Sequence, residues 1–210
     1  GGYDKFSADI TDTLKPGRTQ ELIVGVYDPT DAASGENPPL GKQRLDPSGI
    51  WYTPSSGIWQ TVWMEPVARD HVDSLKLTPD VGAGTLTVEP EGVRDGVRIS
   101  ATAYAGHRKV ATVSGRTGEP LTLRIRDPRL WSPDDPFLYD LKVTVGTDRV
   151  RSYFGMRSVA VEKVNGVPRT VLNGEPVFMM ATLDQGFWPD GLHTAPTDEA
   201  LAYDLRLHKQ

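Results

Sequence analysis

The chain contains no cysteine. Disulfides, thiolate zinc centres, iron–sulfur clusters and a cysteine nucleophile are therefore excluded, while cytoplasm and secretion both stay open. No run of about 18 apolar residues occurs, so no membrane-spanning helix is expected. The opening Gly1-Gly2-Tyr3-Asp4-Lys5-Phe6 has neither a basic nor an apolar signal-peptide region, and no signal peptide is expected there. An excess of positive charge is missing too: Lys+Arg is 23, Asp+Glu is 28, and the net charge over 210 residues is −5. That balance is the opposite of the basic footprint of a nucleic-acid binder. Histidine is sparse, and His71, His107, His193 and His208 include no H-x-H or H-x-x-x-H pair.

What is present is punctuation. Gly 21 and Pro 17 exceed average usage, and many turns imply many short strands. The dominant apolar period is two. Leu121, Leu123 and Ile125 alternate with Thr122, Arg124 and Arg126, which specifies a strand with one face in and one face out. Val97, Ile99, Ala101 and Ala103 repeat the pattern, as do Leu141, Val143 and Val145, and after the turn Gly146-Thr147-Asp148 come Val150, Ser152 and Phe154. Strands at this spacing predict an antiparallel sandwich over residues 70–160. Leu22–Tyr27 is apolar on both faces and predicts a strand buried between layers.

Residues 28–57 break repeatedly at Asp28-Pro29, Asn37-Pro38-Pro39 and Asp46-Pro47-Ser48-Gly49, yet the end of the segment carries Trp51 and Tyr52. It is expected to be one long ordered loop, functional or able to reach a neighbouring subunit in a homo-oligomer. Further on, Asn173-Gly174 sits between apolar stretches, a type I′ hairpin signal. Val177–Ala181 follows as a continuous apolar run, expected to be a fully buried strand. Thr197 then caps a helix with Asp198 and Glu199 in its first turn and Leu201, Leu205 and His208 at helical spacing. A strand and a helix with nothing after Gln210 form half of a βαβ unit, so the chain is expected to be a piece of a longer one.

Local motifs nominate little chemistry. Thr53-Pro54-Ser55-Ser56-Gly57 is not a nucleophile elbow and is expected to be a turn. Gly82-Ala83-Gly84 lacks the third glycine and following helix of a phosphate loop, and is expected to be a hairpin turn. Asp28, Asp31, Glu36 and Asp46 could converge on calcium, but turn capping is the favoured reading, and no metal or other cofactor is expected. Glycoside hydrolysis needs two carboxyl groups flanking the scissile bond. Glu21, Glu36, Glu65, Glu89, Glu91, Glu119, Glu162, Glu175 and Glu199 yield no pair in a segment that reads as a cleft. Aromatic residues are the remaining signal, because flat apolar faces stack on sugar rings. Trp51, Tyr52, Trp59 and Trp63 cluster, with core the favoured reading for Trp59 and Trp63. Phe187-Trp188 lies in a loop, where core and ligand contact are equal readings for Trp188.

Several phrases then combine. Ser56-Gly57-Ile58-Trp59-Gln60-Thr61-Val62-Trp63-Met64-Glu65-Pro66-Val67 resembles the end of the sugar-binding jelly roll of glycoside hydrolase family 2, the family of β-galactosidases, β-glucuronidases and β-mannosidases. Leu130-Trp131-Ser132-Pro133 with Pro136-Phe137-Leu138-Tyr139-Asp140-Leu141 resembles a stretch of its immunoglobulin-like domain, and Phe154-Gly155-Met156-Arg157 resembles the end of that domain. Leu172-Asn173-Gly174-Glu175-Pro176 resembles the entry to the family's (β/α)8 barrel, and Asp9-Ile10-Thr11-Asp12 with Pro16-Gly17 resembles a jelly-roll strand pair.

The resemblance implies a mainly β chain. Residues 1–67 would be a partial jelly roll, 68–162 an immunoglobulin-like antiparallel β-sandwich, and 163–210 the start of a truncated (β/α)8 barrel. It implies a carbohydrate partner and a retaining mechanism. The family's acid/base glutamate follows an asparagine, and this chain has no Asn-Glu dipeptide, so no catalytic residue is carried over and the chain alone is expected to be inactive. Barrel sites form at the C-terminal ends of strands. Asp184, Gln185 and Trp188, beyond the expected first barrel strand, are the substrate-binding candidates, with loop capping an equal reading for Asp184. The alternative function is a stand-alone carbohydrate-binding or structural module without catalysis.

Overall fold

The computed structural model describes residues 4–30 and 41–210. The chain divides into two compact units, one formed by Trp63–Leu183 and the other by Gly1–Val62 together with Asp184–Gln210.

The first of these is a β-sandwich. Its strands are β1 (Ser74–Asp80), β2 (Thr85–Glu91), β3 (Arg98–Ala105), β4 (Arg108–Arg116), β5 (Leu121–Arg124), β6 (Tyr139–Val145) and β7 (Asp148–Phe154). One sheet has the order β1-β2-β5 and the other β4-β3-β6-β7, all antiparallel. This is the three-plus-four arrangement of an immunoglobulin-like sandwich. The alternating residues behave as their period requires. Leu86, Val88, Leu121 and Leu123 from one sheet meet Ile99, Ala101, Ala103, Leu141, Val143 and Val145 from the other in a single core. Each larger aliphatic side chain so buried contributes about 1.5–3 kcal/mol relative to exposure.

Tyr139 opens β6 and closes one end of the core. Its ring stacks on Phe154 at 5.1 Å and meets Phe137 edge-on at 4.9 Å. Its hydroxyl accepts a hydrogen bond from the backbone N–H of Arg129 at 2.8 Å. A tyrosine at the start of the sixth strand, bonded back to backbone upstream, is the tyrosine corner of immunoglobulin-like domains. Leu141, two residues on, fills the place where such domains often carry a disulfide.

The Trp131 and Gly155 phrases are explained by the same packing. The Arg157 guanidinium lies 4.6 Å over the Trp131 ring. A Cβ on Gly155 would sit 3.1–3.3 Å from Trp131 atoms, so any larger residue would have to push the indole back by a few tenths of an ångström. The Trp131 carbonyl also accepts from the Asn173 side chain at 3.0 Å.

A third sheet within this unit joins β8 (Val159–Val164), β9 (Val167–Leu172) and β10 (Glu175–Pro176) in the order β10-β9-β8. Leu172 faces Glu175 across Asn173-Gly174, and both turn residues have positive φ (52° and 84°), the type I′ geometry expected of Asn-Gly. Asn165-Gly166 makes the same turn between β8 and β9.

Two apolar segments outside these sheets, 22–27 and 177–181, form no strand. Residues 22–27 carry no strand, and Tyr27 is 82 % exposed, against the expectation of burial. Alternation selects an extended backbone, but burial needs partners on both sheet edges and faces, and none lies there among the described residues. Trp63, expected in a core, is 70 % exposed for the same reason, and Trp59 is exposed. Val177–Ala181 likewise forms no strand beyond Glu175–Pro176, and Met180 is 88 % exposed. Helix α1 (Asp198–Lys209) forms as expected, with the Thr197 hydroxyl accepting from the Ala200 N–H at 3.1 Å. The expected loop 28–57 lies partly outside the described residues, at 31–40. Among the described residues no helix is long and apolar enough to cross a membrane.

Candidate functional site

The unit formed by Gly1–Val62 and Asp184–Gln210 brings together the two aromatic segments that the sequence sets far apart. Tyr52 stacks on Phe187 with ring centroids 4.3 Å apart and an interplanar angle of 11°. Phe187 meets the edge of His193 at 5.6 Å, and His193 meets Trp59 at 6.4 Å. Polar contacts fix the same pairing: the Tyr52 hydroxyl donates to Gln185 Oε1 at 2.6 Å, and the Thr194 hydroxyl donates to the Trp59 carbonyl at 2.7 Å.

Each side has its own support. Tyr52 is held by a bridge to Gln43, with its N–H on the Lys42 carbonyl (2.8 Å) and its carbonyl accepting from Arg44 N–H (3.1 Å). Arg44 lies 4.4 Å over the neighbouring Trp51 ring. Gln43 Oε1 also accepts from the Ser55 N–H at 2.6 Å. On the other side, Trp188 and Leu192 exchange backbone hydrogen bonds (2.7 and 3.1 Å), and Leu192 takes positive φ to close that tight loop. Trp188 is half-buried.

Of the three substrate-side candidates, Gln185 is drawn into the cluster through Tyr52, and Trp188 sits in the closed loop beside Phe187. Asp184 Oδ1 accepts from the Gly186 N–H at 2.7 Å, an Asx-turn that shapes the start of the loop. Sequence reasoning singled out Tyr52, Trp59 and Phe187 as aromatic but missed His193, which no local motif marks. The cluster sets aromatic rings beside an amide and an imidazole.

The other motifs resolve into structure. Ser56 donates to Asp28 Oδ2 at 2.6 Å, with no imidazole against it. Gly82-Ala83-Gly84 is the β1–β2 turn, held by Ala83 N–H on Asp80 Oδ1 at 2.9 Å. His71 spans the Ala68 carbonyl and the Asp73 carboxylate, both at 2.9 Å. No group of histidines and carboxylates placed to hold a metal occurs among the described residues. Of the calcium candidates, Asp31 and Glu36 lie outside them. Two half-buried carboxylates are perturbed: hydrogen bonds from Arg94 hold Asp70 below the usual carboxylate range, and those from Arg129 do the same to Asp135.

Comparison with known proteins places this architecture. Residues 60–157 match the family described as glycosyl hydrolases family 2. A putative beta-glucuronidase from Formosa agariphila is 28 % identical over 206 residues, covering 90 % of this chain and 18 % of the relative. A beta-galactosidase from Rhizobium meliloti is 30 % identical over 159 residues, covering 70 % of this chain and 20 % of the relative. Among solved structures, a Faecalibacterium prausnitzii beta-glucuronidase superposes with a TM-score of 0.56 at 22 % identity, over 67 % of this chain and 22 % of that one. That likeness is one of fold. The chain thus spans about a fifth of the length of the first two relatives. The match to glycosyl hydrolases family 2 runs through both sheets of the sandwich and the tyrosine corner, and over residues 60–157 the chain is similar to that family.

Proposed function

We propose that the chain is an accessory portion of a retaining glycosidase acting on O-glycosidic bonds of the β-glucuronide, β-galactoside or β-mannoside class. In this reading residues 1–67 belong to a sugar-binding jelly roll, 68–162 to the immunoglobulin-like sandwich and 163–210 to the start of a barrel. The catalytic glutamates are supplied by sequence outside these residues. The observation that carries the reading is the family match combined with relatives about five times as long, named as glucuronidases and galactosidases.

Within this portion, Gln185, Trp188 and Asp184 are the substrate-side residues. Trp188 would stack on a sugar ring, while Gln185 and the second Asp184 oxygen would bond its hydroxyls. The chemistry then belongs to a pair of carboxyl groups elsewhere: one protonates the leaving oxygen, the other attacks the anomeric carbon, and water releases the glycosyl intermediate.

The test is hydrolysis of chromogenic β-glucuronide, β-galactoside and β-mannoside by the full-length protein encoded around this segment. Turnover of one of them is expected, with Trp188→Ala raising KM roughly tenfold, the scale of about 1.4 kcal/mol of contact. A full-length protein that turns over none of the three, or an unchanged KM in the variant, removes the corresponding assignment. Millimolar or tighter binding of galactose, glucuronate or mannose by the 210-residue chain alone would instead favour a binding module, the reading that the Tyr52–Phe187 platform supports without catalysis.

A further inference from the structure

The outer face of the β4-β3-β6-β7 sheet differs in charge from the chain as a whole. Residues directly opposite in an antiparallel ladder share a face. The register therefore sets Tyr104, Asp140 and Tyr153 in one row, Thr102, Lys142 and Arg151 in the next, and Ser100, Thr144 and Arg149 in a third. Lys109 joins the first row opposite Tyr104, and Arg98 lies beyond the third. The face is thus basic, with Asp140 the carboxylate among these rows, in a protein of net charge −5.

Nothing in folding accounts for this arrangement. Lys142 stands directly opposite Arg151, and like charges so placed destabilise a sheet. Among the described residues, Arg98, Lys109, Arg149 and Arg151 have no carboxylate within ion-pair distance. Lys142 instead lies 4.7 Å over the Tyr104 ring. The rows that carry the cations also carry hydroxyls, and Thr102 and Thr112 hydrogen-bond each other at 2.9 Å.

One end of the face is concave. A groove of about 320 Å³ is lined by Tyr104, His107, Asp140, Lys142 and Arg151, among others. It lies where the β3–β4 register shifts at Ala103/Tyr104. Such bulges re-aim side chains at sheet edges and next to sites.

We propose that this face binds an acidic polysaccharide, a chain of uronate sugars. Guanidinium forks pair bidentately with carboxylates, the Tyr104 and Tyr153 rings suit pyranose faces, and the hydroxyl rows suit sugar hydroxyls. The choice of a carboxylate-bearing glycan over other polyanions rests on the glycosidase reading above; the charge complementarity does not. The face would hold a polymer near an enzyme that trims it, without touching the reacting bond.

The experiment measures binding of alginate oligosaccharides to the 210-residue chain by titration calorimetry at low and at physiological salt. Dextran, dextran sulfate and double-stranded DNA serve as comparison ligands. Alginate is expected to bind, at least tenfold more weakly at the higher salt, with no binding of dextran. Lys142→Glu with Arg151→Glu should weaken alginate binding at least tenfold, and Lys142→Gln with Arg151→Gln should weaken it by an intermediate factor. Arg206→Glu with Lys209→Glu on α1 makes the same change in net charge and should leave binding within twofold.

Equal binding of DNA and alginate, preference for dextran sulfate, an equal loss in the α1 variant, or no alginate binding would each overturn the proposal. So would self-association by light scattering that vanishes in the Lys142/Arg151 variant, which would assign the face to a second copy of the chain. Binding is read on this chain and hydrolysis on the full-length protein, so the two assignments can fail separately.

Discussion

Leu141 and Leu22 are the same side chain in two phrases that both predict a strand, and they end in opposite surroundings. Leu141 is 0 % exposed between two sheets, whereas Leu22 is 69 % exposed in a segment that forms no strand. The difference shows what a period of two encodes. It sets the backbone extended and assigns faces, but burial is supplied by a second sheet and by ladder partners. Trp63–Leu183 contains both and closes a core. The apolar residues of 22–27 and 177–183 have neither among the described residues.

Amide hydrogen exchange would test this contrast most severely. Strands β5 and β6 are expected to exchange a thousandfold or more slowly than residues 177–183, on the order of an opening free energy of about 5 kcal/mol against almost none. The tail retains only Val177 N–H on the Thr170 carbonyl (3.0 Å) and Met180 N–H on the Phe178 carbonyl (3.1 Å). Protection at 178–183 equal to that at 121–124 would break the comparison, and would mean that these residues dock or dimerise.

Substitution puts a number on the same point. Leu141→Ala should destabilise the sandwich by about 2–5 kcal/mol, the sum of lost transfer energy and the cavity left behind. Leu22→Ala should change stability by less than about 0.5 kcal/mol, as surface substitutions do. Chemical unfolding of both variants decides it, and similar losses would show that 22–27 is packed in solution.

The sandwich was legible because four of its strands, β3, β5, β6 and β7, carry an alternating pattern, whereas β1, β2 and β4 were not read individually. Leu121-Thr122-Leu123 and Asn173-Gly174 need no information from elsewhere in the chain. The tyrosine corner was not read, since Tyr139 is marked only by a hydrogen bond to Arg129, ten residues upstream. The aromatic platform was half legible. Composition singled out Tyr52 and Phe187, but their stacking, and the places of Gln185 and His193 beside it, depend on segments more than 130 residues apart. Leu22–Tyr27 was misread because its pattern specifies a strand whose burial depends on residues that are not local to it.

Tyr139→Phe should produce a smaller effect than the core deletion. It keeps the ring stacked on Phe154 and removes the oxygen that accepts from Arg129 N–H, at a cost of about 1–3 kcal/mol for the half-buried donor left unpaired. A loss near zero would mean that water takes the hydroxyl's place, and that the corner contributes packing alone.

The smallest effect concerns pH and reports on the sandwich unit by itself, because both perturbed carboxylates lie within Trp63–Leu183. Asp70 receives two hydrogen bonds from Arg94 (2.6 and 3.0 Å), and Asp135 receives two from Arg129, one of them 2.7 Å. Each folded-state pKa is held below the ordinary value of 3.8. The unfolded chain therefore takes up these protons first as pH falls. The stabilisation is fully present above the ordinary carboxylate range and is lost as pH drops through it to the lower folded values. Both pairs are solvent-accessible, so the contribution is small and salt reduces it. Asp70→Asn with Asp135→Asn should flatten the acid limb of the sandwich's unfolding midpoint below about pH 4 and leave the neutral limb nearly parallel to that of the parent. An unchanged acid limb would show that the arginine contacts persist equally in the unfolded chain, and that the sandwich owes its acid sensitivity to other carboxylates.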